Sequence, residues 1–583
     1  MSVFAADFET TTKKENCRVW AWAACDVANE KNLYIGTRLD EFLDFCKESE
    51  ENHVFWFHNL RFDSSFLIDF LFKAEFKHVT KAKDRASRTF KVMMNHKGQI
   101  YGVEVVFFLR GKTVNKATFY DSSKLFPGMG VDDIAAAFRM PIRKKKIDYS
   151  AHDDLPEGAP LSAKETDYII TDVKIMASAL GFFFSHGLEK ITLGSCALAD
   201  YKQTVGMRAY NRWFPVYREI QTSIRQSYRG GYAYLNPKFK DKEVGRGVVL
   251  DMNSMFPTCM KYDLLPYGTP IYYEGEYQED SLYPLYVQMI RCSFVLKPGK
   301  LPTIQVKHSG YYGAQNEYLT TSNDEELTLC LNSVDLKLFF ENYDVTNKEF
   351  KYGWKFKGQT GMFDKYIDKW TAIKIQSKAA ENWGMYLIAK LFLNALYGKF
   401  GTSVELRSKI PYLDDNGVVK YYDSEPEPQD GGYVAVASFI TGYARQRLLT
   451  AAQRIMDEYA AGISMREYIY SDTDSLHIKS DDFSIPEWLE IDSAKLGAWK
   501  FESKFRRGKF LRPKCYIEDS TEDIDEVEPD YKLKITVAGM PKECHSQVTF
   551  SNFKIGARYS GKLMPNAVAG GVVLEDIDFT IKK

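Results

Sequence analysis

A surplus of charge of one sign is missing from this sequence: 77 Lys and Arg stand against 78 Asp and Glu, a formal net charge of −1 at pH 7. Such a chain has no overall attraction for a polyanion, so any nucleic-acid partner must be held by local patches. Clustered thiols are missing too. The nine cysteines, at 17, 25, 46, 196, 259, 292, 330, 515 and 544, include no C-x-x-C pair, and the nine histidines are dispersed. A zinc site therefore has no ligand cluster, and the thiols are expected to be reduced, as in a cytosol-like compartment. There is no G-x-x-x-x-G-K-[ST], and G-R-G at 245–247 lacks a third glycine, which excludes a P-loop NTPase and a Rossmann dinucleotide site. The N-terminus MSVFAADFETTT places Asp7 and Glu9 where a signal peptide needs a basic and then an apolar run, and no long uncharged apolar stretch follows. The expectation is a soluble, cytoplasmic protein with no membrane partner.

What is present is length and aromatic content. At roughly 100–200 residues per domain, 583 residues make about three to five units. The 9 Trp, 37 Tyr and 39 Phe suit core packing first, and base or sugar stacking second.

Carboxylates recur at strand and helix ends in the first 190 residues. VFAADFE (3–9) reads as a buried strand, and its period of two puts Asp7 and Glu9 on one face. A bare D-x-E is more often two solvated acids than a site. VFWFHNLRFDSSFLIDFLF (54–72) runs from strand through a polar turn into a helix, with Asn59 and Asp63 at the junction, where Asp63 could serve only as a cap. Ser162 and Glu165 form a capping-box signature that opens a helix on which Tyr168 and Asp172, four apart, share a face. Hard divalent cations prefer such oxygen ligands, and two of them can activate water for phosphodiester cleavage.

A second set lies between 228 and 520. GRGVVLDMNSMFP (245–257) is an apolar strand ending at Asp251, with Pro257 suited to a first helical turn. REYIYSDTDSLHIKS (466–480) reads as a hairpin with Asp472 and Asp474 at its tip, two apart and able to face one way. Between them, MYLIAKLFLNALYGKF (385–400) is an apolar helix with a polar stripe of Lys390, Asn394 and Tyr397. A lysine can meet a triphosphate there, a planar ring a base, and Gly398 allows close backbone approach.

D-F-E-T, N-L-R-F-D and Y-x-x-x-D, in that order, resemble the three motifs of the 3′–5′ proofreading exonuclease of DNA polymerases. D-M-N-S-M-F-P, K-L-F-L-N-A-L-Y-G and Y-S-D-T-D-S resemble motifs A, B and C of family B DNA polymerases. The resemblance implies exonuclease metal ligands at Asp7, Glu9, Asp63 and Asp172, with Tyr168 positioning water and Lys144 of RKKK near the scissile phosphate, although that run could equally be a solvated basic loop. It places Thr10, His58, Asn59, Phe62, Phe66 and Ser122 around a single-stranded DNA end. In the polymerase half it implies two Mg²⁺ ions, replaceable by Mn²⁺, held by Asp251, Asp474 and the Met252 carbonyl with support from Asp472. Lys374 and Lys390 would grip the dNTP, Phe256 would lie under its sugar, and Asn394 and Tyr397 would face the nascent base pair.

Further residues resemble the protein-primed branch, of the bacteriophage phi-twenty-nine type: the linker Tyr228, Arg229, Gly230 and Gly231, then Thr441 and Arg445, then Lys514 and Tyr516 of K-x-Y, all DNA contacts in that branch. The implied fold is a multidomain α/β and α+β chain, an RNase H-like exonuclease followed by a right-hand polymerase. Its expected parts are the exonuclease at 1–191, palm at 192–262 and 429–533, fingers at 361–399, thumb at 534–583, and inserted subdomains at 263–360 and 400–428. The implied partners are template and primer DNA, dNTPs and a terminal protein whose hydroxyl starts synthesis, the chain acting alone or as a heterodimer with that protein. Strand displacement belongs to the same expectation. A nucleic-acid-primed family B enzyme and a catalytically dead DNA-binding scaffold are the alternatives. Phe256 stands where tyrosine is usual, Ala395 where serine is common, and the stretch from Lys374 to Lys390 runs about four residues longer than the pattern. Locally, KFRRGKFLRPK (504–514) has six basic residues and no acid, while 518–530 carries eight acids.

Overall fold

The structure, a computed structural model, describes residues 2–48, 52–307, 316–523 and 530–582. Part of the acidic run, at 524–529, and positions 308–315 of the expected first insertion lie outside the described residues.

The N-terminal sheet has eight strands in the order Leu33–Gly36, Val19–Asp26, Ser2–Thr10, His53–Phe57, Thr113–Asp121, Ile100–Arg110, Thr89–Met94 and Lys77–His78. Strand alternation divides its central strand cleanly. Phe4, Ala6 and Phe8 pack with Phe42, Phe55 and Phe57 under the helices Leu39–Glu48 and Leu60–Lys73. Ala5 packs on the other face with Ile169, Val173 and Met176 of the helix Ala163–Ser185, so Asp7 and Glu9 face that helix. Among the described residues this is the one helix long and apolar enough to cross a membrane; here its apolar side is a core surface.

The second sheet is antiparallel: Lys532–Val537, Cys515–Thr521, Trp499–Arg512, Gly247–Met252, Ser475–Lys479, Glu467–Asp472 and Ala233–Leu235, with Glu243–Val244 added to the long strand. Helices Met255–Tyr262 and Val434–Ala460 pack on it through Val248, Leu250, Leu476 and Leu448. A separate four-stranded sheet spans Leu265 to Gln359. It leads into the helical pair Asp364–Ala379 and Trp383–Phe400, joined through Glu381 in the left-handed region at φ 53°.

Two later hairpins fold back onto the N-terminal unit. Leu413, Val419 and Tyr421 of the pair Lys409–Leu413 and Val419–Asp423 join its phenylalanine core. So does Val572 of the C-terminal pair Arg558–Val568 and Gly571–Thr580, where the Gly570 amide donates to Asp69 at 3.0 Å. All nine cysteines are free thiols, as their spacing implies.

Candidate active sites

The N-terminal carboxylates converge from three elements. Asp7 and Glu9 come from the first strand, which bulges after Glu9 at Thr10. Asp63 lies in the first turn of Leu60–Lys73, whose N-cap, Asn59, adopts the left-handed conformation at φ 69° while its amide donates to Asp121 at 3.1 Å. Asp172 comes from the helix that begins with the capping box: the Glu165 amide donates to Ser162 Oγ at 3.3 Å, and the Ser162 amide donates to Glu165 Oε2 at 2.8 Å.

Burial of like charges dominates the electrostatics here. Burial, then the charge of Asp172, raises the Asp7 carboxyl to about 7. Burial, then Asp7, pushes Glu9 and Asp63 well above the carboxylate range. Burial also raises Asp172, against the opposing charge of Lys144, whose ammonium donates to Asp172 Oδ2 at 2.5 Å. Although its own burial opposes it, Lys144 is held protonated by Asp172 and Asp7. Tyr168 hydrogen-bonds Tyr149 through the hydroxyls at 3.2 Å, and burial followed by the Glu9 charge pushes its phenol up.

Among the described residues no three Asp, Glu, His or Cys side chains are already closed onto one metal position. The donor set nevertheless fits a hard cation: four acids repel one another, and Asp172 Oδ1 is buried without a hydrogen-bond partner. Asp7, His58, Asn59, Lys144 and Asp172 line a cleft of about 700 Å³, with Lys542 from the C-terminal region at its rim.

Not every residue expected around a DNA end is open to one. His58 is fixed between Ser122 Oγ at 3.0 Å and the Met129 carbonyl at 2.8 Å. Ser122 is fully buried, donates to the Phe57 carbonyl at 2.9 Å and so orients His58. Phe62 is half-buried beside Phe66, but Phe66 is 1% exposed, covered by Gly571 of the C-terminal hairpin. Phe66 is core in this ligand-free conformation.

In the second site, Asp251 ends the strand Gly247–Met252 opposite Ser475 on one side and Lys500 on the other. The hairpin tip is tight: Thr473 has φ 63°, the Asp474 amide donates to the Asp472 carbonyl at 2.7 Å, and the Met252 amide donates to the Asp474 carbonyl at 2.9 Å. Burial, then the charge of Asp251, raises Asp474 to about 7. Burial, then Glu502, raises Asp251 to about 6. The two acids therefore share a field. Asp472, whose charge also raises Asp474, is held by Lys514, whose ammonium donates to both its oxygens at 2.8 and 2.9 Å.

The helix Trp383–Phe400 buries Ile388, Phe392, Leu393 and Leu396 and leaves Lys390 and Asn394 exposed with Tyr397 half-buried beside them. Tyr397 stacks on Phe256, ring centroids 4.0 Å apart. Lys374 from the preceding helix is pulled below its usual range by burial and then by Lys390.

The linker at 228–231 touches this centre directly. A Cβ on Gly231 would meet the Thr473 side chain at 2.9 Å, and the Thr473 amide donates to the Tyr232 carbonyl at 2.7 Å. Tyr228 lies against Gly401, Arg229 donates to the Cys330 carbonyl at 3.0 Å, and Arg445 donates to the carbonyls of Arg229 at 3.1 Å and Gly230 at 2.6 Å. Arg445 is 3% exposed and ion-paired with Asp335 at 2.5 Å, and Thr441 is 2% exposed with its hydroxyl on its own helix backbone. Tyr516 is 7% exposed, stacked in a cluster with Phe510, Tyr470 and His477. In this ligand-free structure these three side chains are packed beneath the site and not open at its surface.

Two neighbours of Asp251 escape reading from single motifs. Lys500 and Glu502 alternate on the strand that flanks it, where period two gives them one face. The signal was the K-F-E tripeptide, but its partner strand lies about 250 residues earlier.

The chain matches the family described as DNA polymerase type B, organellar and viral, over residues 157–484. It is 40% identical to the DNA polymerase of Bacillus phage phi29 over a 592-residue alignment spanning 100% of this chain and 99% of that protein. Identity is 30% to the DNA polymerase of Streptococcus phage Cp-1, across 100% of this chain and 98% of that one. Its structure is similar to that of phi29 DNA polymerase complexed with primer-template DNA and incoming nucleotide substrates, with a TM-score of 0.90, 39% identity and 100% coverage of both chains.

Proposed function

The chain belongs to the type B DNA polymerases of the organellar and viral kind, in their phi29-type branch, and on that premise we propose how its two acidic sites divide the labour. It is a DNA-directed DNA polymerase with an exonuclease-plus-polymerase fold. Asp251 and Asp474 form the nucleotidyl-transfer centre, and Asp7, Glu9, Asp63 and Asp172 form a 3′–5′ exonuclease. The observation that carries this reading is Asp251 on one strand beside Asp474 in the adjoining hairpin turn, each raised by burial and by a neighbouring acid, with Lys500 and Lys390 acting on Asp251.

Mg²⁺ held by Asp251, Asp474 and the Met252 carbonyl, and by the four N-terminal acids, would supply charge neutralisation at the reacting phosphates. This chain's own residues do the rest. Lys374 and Lys390 bind the triphosphate; the stacked Phe256 and Tyr397 make a rigid floor for sugar and base, with Phe256 excluding a 2′-hydroxyl. Lys514 holds Asp472 aside. In the N-terminal cleft Tyr168 orients water, His58 and Asn59 line the approach of the strand, and Lys144 stabilises the phosphate.

We assign the remaining units to a right hand: palm from the large antiparallel sheet, fingers from the helical pair, thumb from the region ending in the C-terminal hairpin, and insertions at 263–360 and 400–428. We assign to these insertions contact with a terminal protein and enclosure of DNA, so that synthesis starts on a protein hydroxyl in the cytoplasm of a host cell and continues with strand displacement.

Two measurements test the division. Asp7→Ala with Asp172→Ala should abolish degradation of single-stranded 3′ ends while primer extension persists; continued degradation places the nuclease elsewhere. Incubation with labelled dNTPs and candidate terminal proteins should label one of them covalently, whereas extension confined to nucleic-acid primers removes protein priming and leaves the polymerase.

A further inference from the structure

Lys500 has no place in the family pattern set out above, yet it stands beside the catalytic acid. On the antiparallel pair it lies directly opposite Asp251, a position whose Cβ atoms are about 4.5–5.5 Å apart on one face of the sheet. Its backbone is held there by the loop that follows Asp251. The Asn253 amide donates to the Ala498 carbonyl at 3.0 Å, the Gly497 amide donates to the Asn253 carbonyl at 3.1 Å, and Met252 pairs with Trp499.

Lys500 is exposed and, among the described residues, makes no ion pair or side-chain hydrogen bond. Glu502, two residues on, is already neutralised by Lys534 at 2.8 Å. Lys374 and Lys390 are likewise without an ion pair among the described residues, and the three ammonium groups act on the same surroundings: Lys390 and Lys500 both lower Lys374, and both lower Asp251. The three ammonium groups repel one another, with Asp251 and Glu502 offsetting part of that repulsion, and a multivalent anion in the space between them would relieve the rest. Two helices supply two of them and the sheet supplies the third, so an anion bound there would bridge the helical pair to the palm.

Building on the assignment of Asp251 and Asp474 as the transfer centre, we propose that Lys500 is a third phosphate-binding lysine, contacting the β- and γ-phosphates of the incoming nucleotide and the pyrophosphate that leaves. Pyrophosphate carries the same charge in the reverse reaction, so both directions should depend on it.

The test is steady-state primer extension and pyrophosphorolysis by the full-length Lys500→Met and Lys500→Arg proteins. Lys500→Met should raise KM for dNTP and for inorganic pyrophosphate by about tenfold each, the scale of one lost hydrogen bond to a charged group, with kcat changed less. Lys500→Arg should restore most of both. Unchanged KM for both ligands overturns the proposal, as does a defect seen only in the Mg²⁺ concentration required, which would make Lys500 a counter-charge for the acids. Degradation of single-stranded 3′ ends and the thermal midpoint report folding in the same preparations, and Lys500→Gln replaces Lys500→Met if the latter is unstable. Normal extension by Asp251→Asn would instead show that the transfer centre itself is misplaced, an outcome separate from any effect at Lys500.

Discussion

At the scale of single residues, Asp251 and Asp474 show what the centre costs the fold. Both carboxyls are raised by burial, to about 6 and about 7, from an ordinary value of 3.8. Between those values the folded chain holds protons that the unfolded chain has released, so stability falls as pH rises from about 4 to about 7. Thermal melts of metal-free protein across that window should show this fall, and Asp251→Asn with Asp474→Asn should make it shallower, the raised N-terminal acids keeping their share; a fall of the same steepness in the double variant contradicts the assignment. Added Mg²⁺ should recover stability at the upper end. The residue-level site was only partly legible in the sequence. Asp7 with Glu9, and Lys390 with Asn394 and Tyr397, follow from the periods of strand and helix alone. Asp472 does not: a two-residue spacing says nothing about a tip turned by Thr473 at φ 63°, which hands that acid to Lys514.

At the scale of elements, the segment 228–231 connects the two halves of the chain by contact with the hairpin tip. Its Gly231 leaves no room for a side chain: an added Cβ would press on Thr473, a β-branched residue with little freedom to move. Gly231→Ala should therefore displace the tip and lower primer extension by on the order of a hundredfold, as small misplacements of reacting groups do, while 3′-end degradation persists. Equal loss of both activities would point to unfolding and not to tip geometry. Beneath it, Arg445 and Asp335 form a buried pair at 2.5 Å, so Arg445→Ala should cost about 3–5 kcal/mol in a denaturant titration. Sequence reading recovers such elements where their signals are local. The capping box at Ser162 and Glu165 and the hairpin at 467–479 both stand as expected. It fails where burial comes from a distant element: Phe66 is covered by Gly571, some 500 residues on, and Arg445 is paired with Asp335 of the helix Ser333–Asn342.

At the scale of the whole molecule, near-neutrality conceals local pairing as well as local charge. The basic run at 504–514 is largely answered from neighbouring strands: Arg506 meets Asp519 at 2.5 Å, Arg507 meets Asp519 at 3.5 Å, and Lys514 meets Asp472. Among the described residues, Lys374 and Lys390 of the helical pair and Lys500 make no ion pair. Binding of primer-template should still weaken with salt, through the phosphates that such lysines neutralise; a dissociation constant independent of salt would deny any electrostatic track. Hairpins from the second insertion and from the C-terminus both close on the N-terminal core, so the exonuclease is physically continuous with the parts that would hold DNA. The class of fold was readable from ordered motifs, whereas this closure was not, because its contacts join segments with no shared pattern. The most direct test of the whole account compares primer extension with 3′-end degradation in one preparation of the Asp474→Asn protein. Extension should disappear while degradation of single-stranded ends stays at the wild-type rate; extension at the wild-type rate would contradict the assignment of the polymerase centre.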